Sequence, residues 1–167
     1  VFDMRPLPRC ATIRKLVIMD DIYNSRILEL AGNIGLSGEL EDADGVSEKH
    51  SKLCGSKVKV FVKIEDGVVS DFRHKVRACA LGQASSAAMA KHVIGASVDE
   101  LRQARADMLA MLKENGEGPV GRFEEMRVLK PVKDYKARHA STMLTFDAVV
   151  DAIDQAEAKD HDARATA

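Results

Sequence analysis

From Lys57 to Ile64 the chain alternates, Val58, Val60, Val62 and Ile64 against Lys57, Lys59 and Lys63. That period of two is the signature of a half-buried strand. A second strand opens at Val68 and Val69 and sets Phe72, Val76 and Ala78 against Asp71, Arg73, Lys75 and Arg77. Glu65-Asp66-Gly67 separates them, so the pair is a hairpin. Its register is constrained, because a slip of one residue turns an apolar face into a charged one. A two-residue Asp-Gly turn carried along the whole hairpin pairs Val60 with Arg73 and buries charge. A three-residue loop with Gly67 left-handed pairs Val60 with Phe72 and Ile64 with Val68, which aligns the apolar faces. The latter register is expected.

The hairpin also organises the chemistry. In the expected register Cys54 lies opposite Ala78, one residue before Cys79. The two cysteines then meet at one end of the hairpin, within roughly 5–8 Å. Cys79 precedes a helix start, where free amides and the helix dipole favour a thiolate, the form that binds metal or accepts sulfur. Lys52, Lys57, Lys75 and Arg77 are expected to add positive charge. The plainer alternative is two small apolar side chains at a core edge, or an adventitious disulfide. The chain has three cysteines, too few for a disulfide scaffold, which points to a reducing compartment and a cytoplasmic location.

The remaining elements frame one domain, as 167 residues predict. Asp20 to Ala31 reads as a helix, and Glu39 to Lys52 as a polar loop with room for a short edge strand. A small-residue helix is expected from Gly82 to His92, with Ser85-Ser86 allowing close packing. Another runs from Ser97 to Lys113, where Ser97 and Glu100 form a capping box. Leu129 to Lys133, containing Pro131, reads as extended. Met143, Phe146, Val149, Val150 and Ile153 place a last helix from Ser141. The fold class is α+β, a small antiparallel sheet of two to three strands with helices on one face. Residues 1–18, Arg-rich and including Cys10, read as a disordered extension before a start at Met19. As a transit peptide they would instead imply the mitochondrial matrix. The domain is set at residues 19–158, with a frayed tail at 159–167.

Several function classes are excluded. The formal net charge is −1 and aromatics are 4% with no Trp, so neither a phosphate-tracking field nor stacking platforms for nucleic acid are present. No run of 18 apolar residues exists for a membrane span. Gly-rich phosphate loops, G-x-S-x-G and H-E-x-x-H are absent. A Cys54–His139 nucleophile pair lacks an oxyanion-hole signature. A third ligand for the cysteine pair could come from His139, just before the last helix, since imidazole suits zinc and iron. The alternative for His139 is a surface or capping role. His74, facing inward on its strand, and His92, on a helix, read as structural.

Cys54-Gly55, the Lys/Val strand, the Asp-Gly turn and Cys79 before Gly-x-Ala-Ser-Ser together resemble the IscU/NifU-type scaffold proteins of iron–sulfur cluster assembly. The cysteine spacing and the segment from Ser97 to Gly121 are most similar to the SufU branch. The resemblance spans about residues 19–158. It implies a ligand set of three cysteines and an aspartate, with a histidine or basic residue before the third cysteine. Cys54 and Cys79 match the first two cysteines, while Ser56 stands at the aspartate. An ungapped last helix sets Ser141 at the third cysteine and Ala140 before it; a shift of one or two residues brings His139 to either position. Leu129-Lys130-Pro131-Val132-Lys133 resembles, imperfectly, the family's chaperone-binding segment. The resemblance further implies a cysteine desulfurase and a chaperone as partners, and apo iron–sulfur proteins as recipients.

Three readings follow. The first is a non-enzymatic scaffold or carrier holding a labile iron–sulfur cluster ([2Fe–2S]), or iron, through Cys54, Cys79 and His139. The second is a zinc-binding regulatory or docking protein using the same residues. The third is a sulfurtransferase carrying a persulfide on Cys79.

Overall fold

The computed structural model describes residues 22–167. Cys10, the expected extension over 1–18, Met19 and the acidic pair Asp20-Asp21 lie outside the described residues. Helix α1 spans Ser25–Gly32, with the Asn24 side chain accepting from the Ile27 amide. Strands β1 (Gly45–His50), β2 (Lys57–Glu65) and β3 (Val68–Arg77) form an antiparallel sheet in the order β1-β2-β3. Helices α2 (Ala80–His92) and α3 (Val98–Lys113) follow, then a 3-10 segment (Gly121–Asp134) and the long α4 (Lys136–Ala165). The α+β class with one three-stranded sheet is therefore observed, the edge strand being β1.

The hairpin aligns its apolar faces by a different route from the one expected. Asp66 (φ 52°) and Gly67 (φ 74°) are both left-handed, the conformation of a two-residue turn, and Glu65 pairs with Val68. A bulge at Ser70 then shifts the ladder, so that Lys63 faces Asp71, Val62 faces Phe72 and Val60 faces His74. The cause lies outside the hairpin. Val69 donates its amide to Ala96 O and accepts from Gly95 N, while Val98 N donates to Gly67 O. The start of β3 is thus tied to the chain entering α3, and the extra residue restores the parity that buries Val58, Val60, Val62 and Phe72.

The core lies between that face and the helices. Long α4 crosses β1 and β2 so closely that a Cβ on Gly45 would sit 1.8 Å from the Ala152 carbonyl oxygen. Ser85 and Ser86 are buried where α2 meets α4, and the Ser85 hydroxyl donates to Thr142 O at 2.8 Å. The capping box at Ser97 and Glu100 is complete. Two expectations change. Leu129 to Lys133 is not extended: it belongs to the 3-10 segment, in which Phe123, Met126, Leu129 and Val132 are buried at intervals of three. Three residues per turn lays that series on one face. The last helix starts five residues earlier than Ser141, at Lys136, and continues through the expected tail to Ala165. Glu125 of the 3-10 segment accepts from Arg26 of α1 and from Lys91 and His92 of α2, which gives His92 the structural place expected of it.

Candidate functional site

The β2–β3 ladder ends at Lys57 and Arg77, so Cys54 and Cys79 both lie beyond the same end of the sheet. Cys54 sits in the tight loop joining β1 to β2. There Ser51 N donates to Ser56 O, Gly55 N donates to Ser51 O, and Gly55 takes a left-handed φ of 68°. Cys79 follows β3 and is the N-cap residue of α2. Instead of facing each other across a ladder, the two cysteines are joined through one hydroxyl. The Cys54 thiol donates to Ser56 Oγ at 3.0 Å, and the Cys79 amide donates to the same oxygen at 3.2 Å. Ser56 is 3% exposed, so this contact is held inside the fold while Cys54 itself is exposed.

A second serine closes the other side. Cys79 Sγ lies 3.6 Å from Ser141 Oγ, and Ser141 donates to Arg138 O in the second turn of α4. Close helix contact makes this possible: a Cβ at Gly82 of α2 would lie 3.1 Å from the Ser141 carbonyl oxygen. The site therefore comprises two thiols, Cys54 and Cys79, and two buried hydroxyls, Ser56 and Ser141. The resemblance aligns Ser56 with the family's aspartate and, in the ungapped last helix, Ser141 with its third cysteine; of Ser141 and His139, Ser141 lies against Cys79.

The thiol chemistry is set locally. The Ser56 hydroxyl holds the Cys54 thiol down to about 7; partial burial opposes this, and the Ser51 hydroxyl, the Ser56 amide and the charge of Arg138 assist. A good fraction of Cys54 is thus thiolate near neutrality. Two of the four expected cationic neighbours are otherwise engaged, Lys57 with Glu48 and Lys75 with Glu39. Arg138 supplies the positive charge felt by Cys54, and only its place in Arg138-His139-Ala140-Ser141, one turn before Ser141, could have indicated it.

His139 is not brought to the pair. It is buried in the first turn of α4, with Nε2 directed at the carbonyl oxygens of Val132 (3.1 Å) and Lys133 (3.0 Å). On that side it lines a groove of about 780 Å³ with Arg105, Lys133, Lys136 and Asp147. Among the described residues no group of three or more His, Cys, Asp or Glu side chains is arranged to hold a metal ion. His74 is fully buried with Nε2 on Gly35 O at 2.8 Å, and burial lowers its pKa.

The architecture has known counterparts. The chain is 63% identical to the N-terminal part of a nitrogen-fixing NifU-like protein from Brucella abortus, with a TM-score of 0.84 over 85% of this chain and 99% of that one. It is 28% identical over 133 residues to the iron–sulfur cluster assembly scaffold protein IscU of Thermotoga maritima, covering 79% of this chain and 92% of the relative. A SufU-like chain from Fervidobacterium islandicum shares the fold at 22% identity and a TM-score of 0.69, over 77% of this chain and 94% of that one. The NifU-like N terminal domain model matches residues 22–161, and the chain belongs to that family.

Proposed function

We propose that this protein is a scaffold in iron–sulfur cluster assembly, a non-enzymatic carrier whose cargo is a labile cluster or its iron, held by Cys54 and Cys79. The observation that carries this reading is the convergence of both cysteines on the Ser56 hydroxyl. It presents one exposed and one half-buried cysteine at the same end of the sheet. Thiolate sulfur is the ligand that iron–sulfur clusters take. The name of the Thermotoga maritima relative supports the same role. A [2Fe–2S] cluster is the cargo this reading favours, delivered to apo iron–sulfur proteins and built with sulfur from a cysteine desulfurase; chaperone assistance belongs to the same proposal.

The residues present fit such a cargo in part. Two thiolates are supplied where four ligands are required, and neutral serine hydroxyls are poor substitutes. Weak holding suits a carrier that must release. His139 would have to give up its carbonyl partners to join as a third ligand. Anaerobic reconstitution with ferric iron and sulfide tests the reading by visible absorption and by iron and sulfide analysis. Wild type should take up cluster, and a Cys54→Ala/Cys79→Ala variant should take up little. Equal content in the two would overturn the assignment.

A second reading, a zinc-binding docking protein, rests on the same thiol pair, because zinc takes thiolate ligands; the pair would fill two of its four positions. Stoichiometric zinc that iron cannot displace would favour it. A persulfide on Cys79 is the third; a mass increase of about 32 Da on that cysteine, the mass of one sulfur atom, after exposure to a desulfurase would report it.

A further inference from the structure

The groove between α3 and α4 carries a charge pattern of its own, in which neither cysteine takes part. Its cavity of about 780 Å³ is lined from α3 by Arg105, Leu109, Leu112 and Lys113, and from α4 by Lys136, His139, Met143 and Asp147. Each set recurs at helical spacing, so each is one stripe of its helix. Lys133, in the last turn of the 3-10 segment, joins them. The charged groups divide by end. Arg105 and Asp147 bind each other at 2.8 Å and cancel. The two helices run antiparallel there, which brings Lys113 level with the start of α4 and so with Lys133 and Lys136. Besides Asp147 no acidic side chain lines the cavity.

The three lysines are unequally accounted for by the fold. Lys133 donates to the Asn115 side-chain oxygen at 2.7 Å. Lys113 stands in the last turn of α3, where a cation complements the carbonyl end of the helix. Lys136 has no such explanation. It opens a 30-residue helix that has no acidic residue in its first turn and no side-chain cap. That end of a helix repels a cation and attracts an anion. The ammonium groups of Lys113 and Lys136 make no ion pair or hydrogen bond among the described residues. Positive charge is therefore gathered at one end of a cavity of small-molecule size, on a chain whose formal net charge is −1.

We propose that this groove binds a small organic polyanion, with its carboxylate or phosphate groups on Lys113, Lys133 and Lys136 and its aliphatic body over Leu109 and Met143. Lysine ammonium groups are rotatable point charges, suited to negative charge spread over several oxyanions. The one guanidinium, which would read a planar carboxylate, is already held by Asp147. No Phe, Tyr or Trp lines the cavity, so a nucleobase finds no ring to stack on. The site uses neither thiol and stands independently of the scaffold reading.

Amide NMR of the full, metal-free chain tests it, with citrate and pyrophosphate as probes and sodium chloride at matched ionic strength as the control. At roughly 10 mM, where even a millimolar site is filled, at least one probe should shift Lys113 and Lys136 to Ala140 beyond the chloride control. Cys54 and Cys79 should stay in place. Tighter binding of citrate assigns the carboxylate class and tighter binding of pyrophosphate the phosphate class; either supports the site. Lys113→Gln/Lys136→Gln should weaken binding by about 10-fold or more, the worth of one charge-assisted hydrogen bond, and Lys159→Gln should not. Lys136→Glu puts an acid at the positive end of α4, so its urea midpoint should rise while binding is lost. Shifts no larger than those of chloride with both probes would overturn the inference. So would wild-type affinity in the folded double variant or in Lys136→Glu.

Discussion

Ser56 links the two halves of the site, and its hydroxyl is the largest cause holding the Cys54 thiol near 7. Removing it in Ser56→Ala should raise that value toward the ordinary thiol range of about 8.5. Alkylation of Cys54 at pH 7 should then slow by roughly 3- to 10-fold, because the thiolate fraction falls. The pH profile of alkylation reads this directly, and an unmoved midpoint would show that Ser56 does not govern the thiol. His74 gives a second test at the same scale. Burial lowers its pKa in the fold, while the unfolded chain keeps a value of about 6.5 and takes up the proton first. Stability is therefore full above about 6.5 and declines as the pH falls below it. Urea midpoints at pH 7.5 and 5.5 should differ in that order, and His74→Phe should flatten the difference.

Among the elements, the contact of β1 with α4 fixes where the long helix sits, and hence where Ser141 meets Cys79. Gly45→Ala would force a methyl group into the Ala152 carbonyl. Overpacking of this kind costs about 1–3 kcal/mol or more. A lower urea midpoint at an unchanged slope is the expected result, and a wild-type midpoint would mean that the helix can shift freely. The same elements show what a linear sequence carries. The Lys/Val alternation and the Ser97–Glu100 box are local signals, and both elements formed as expected. The Ser70 bulge was not legible, because it depends on Gly95 to Val98 pairing with the start of β3 across more than twenty residues. The 3-10 segment was obscured by Pro131, although Phe123, Met126, Leu129 and Val132 repeat at three. Convergence of Cys54 and Cys79 followed from the hairpin. Arg138 and the inward turn of His139 did not, since both depend on α4 beginning at Lys136 instead of Ser141.

The molecule as a whole is a three-stranded sheet backed by helices, with two thiols at one end of the sheet and an exposed leucine beside Cys54. The hydrophobic core backs that end of the sheet and leaves Cys54 exposed, which is where the proposed cargo would sit. Thiolate ligation competes with protons. Loading should therefore weaken as the pH drops below the Cys54 value of about 7, which a titration of cluster absorbance would follow. The central claim is that Cys54 and Cys79 hold iron with sulfide. It is tested most directly by the iron, zinc and acid-labile sulfide content of protein isolated without oxygen, wild type beside Cys54→Ala/Cys79→Ala. The account predicts iron and sulfide in equal amounts in wild type and little of either in the variant. Stoichiometric zinc with no sulfide in wild type, or iron and sulfide undiminished in the variant, would contradict it.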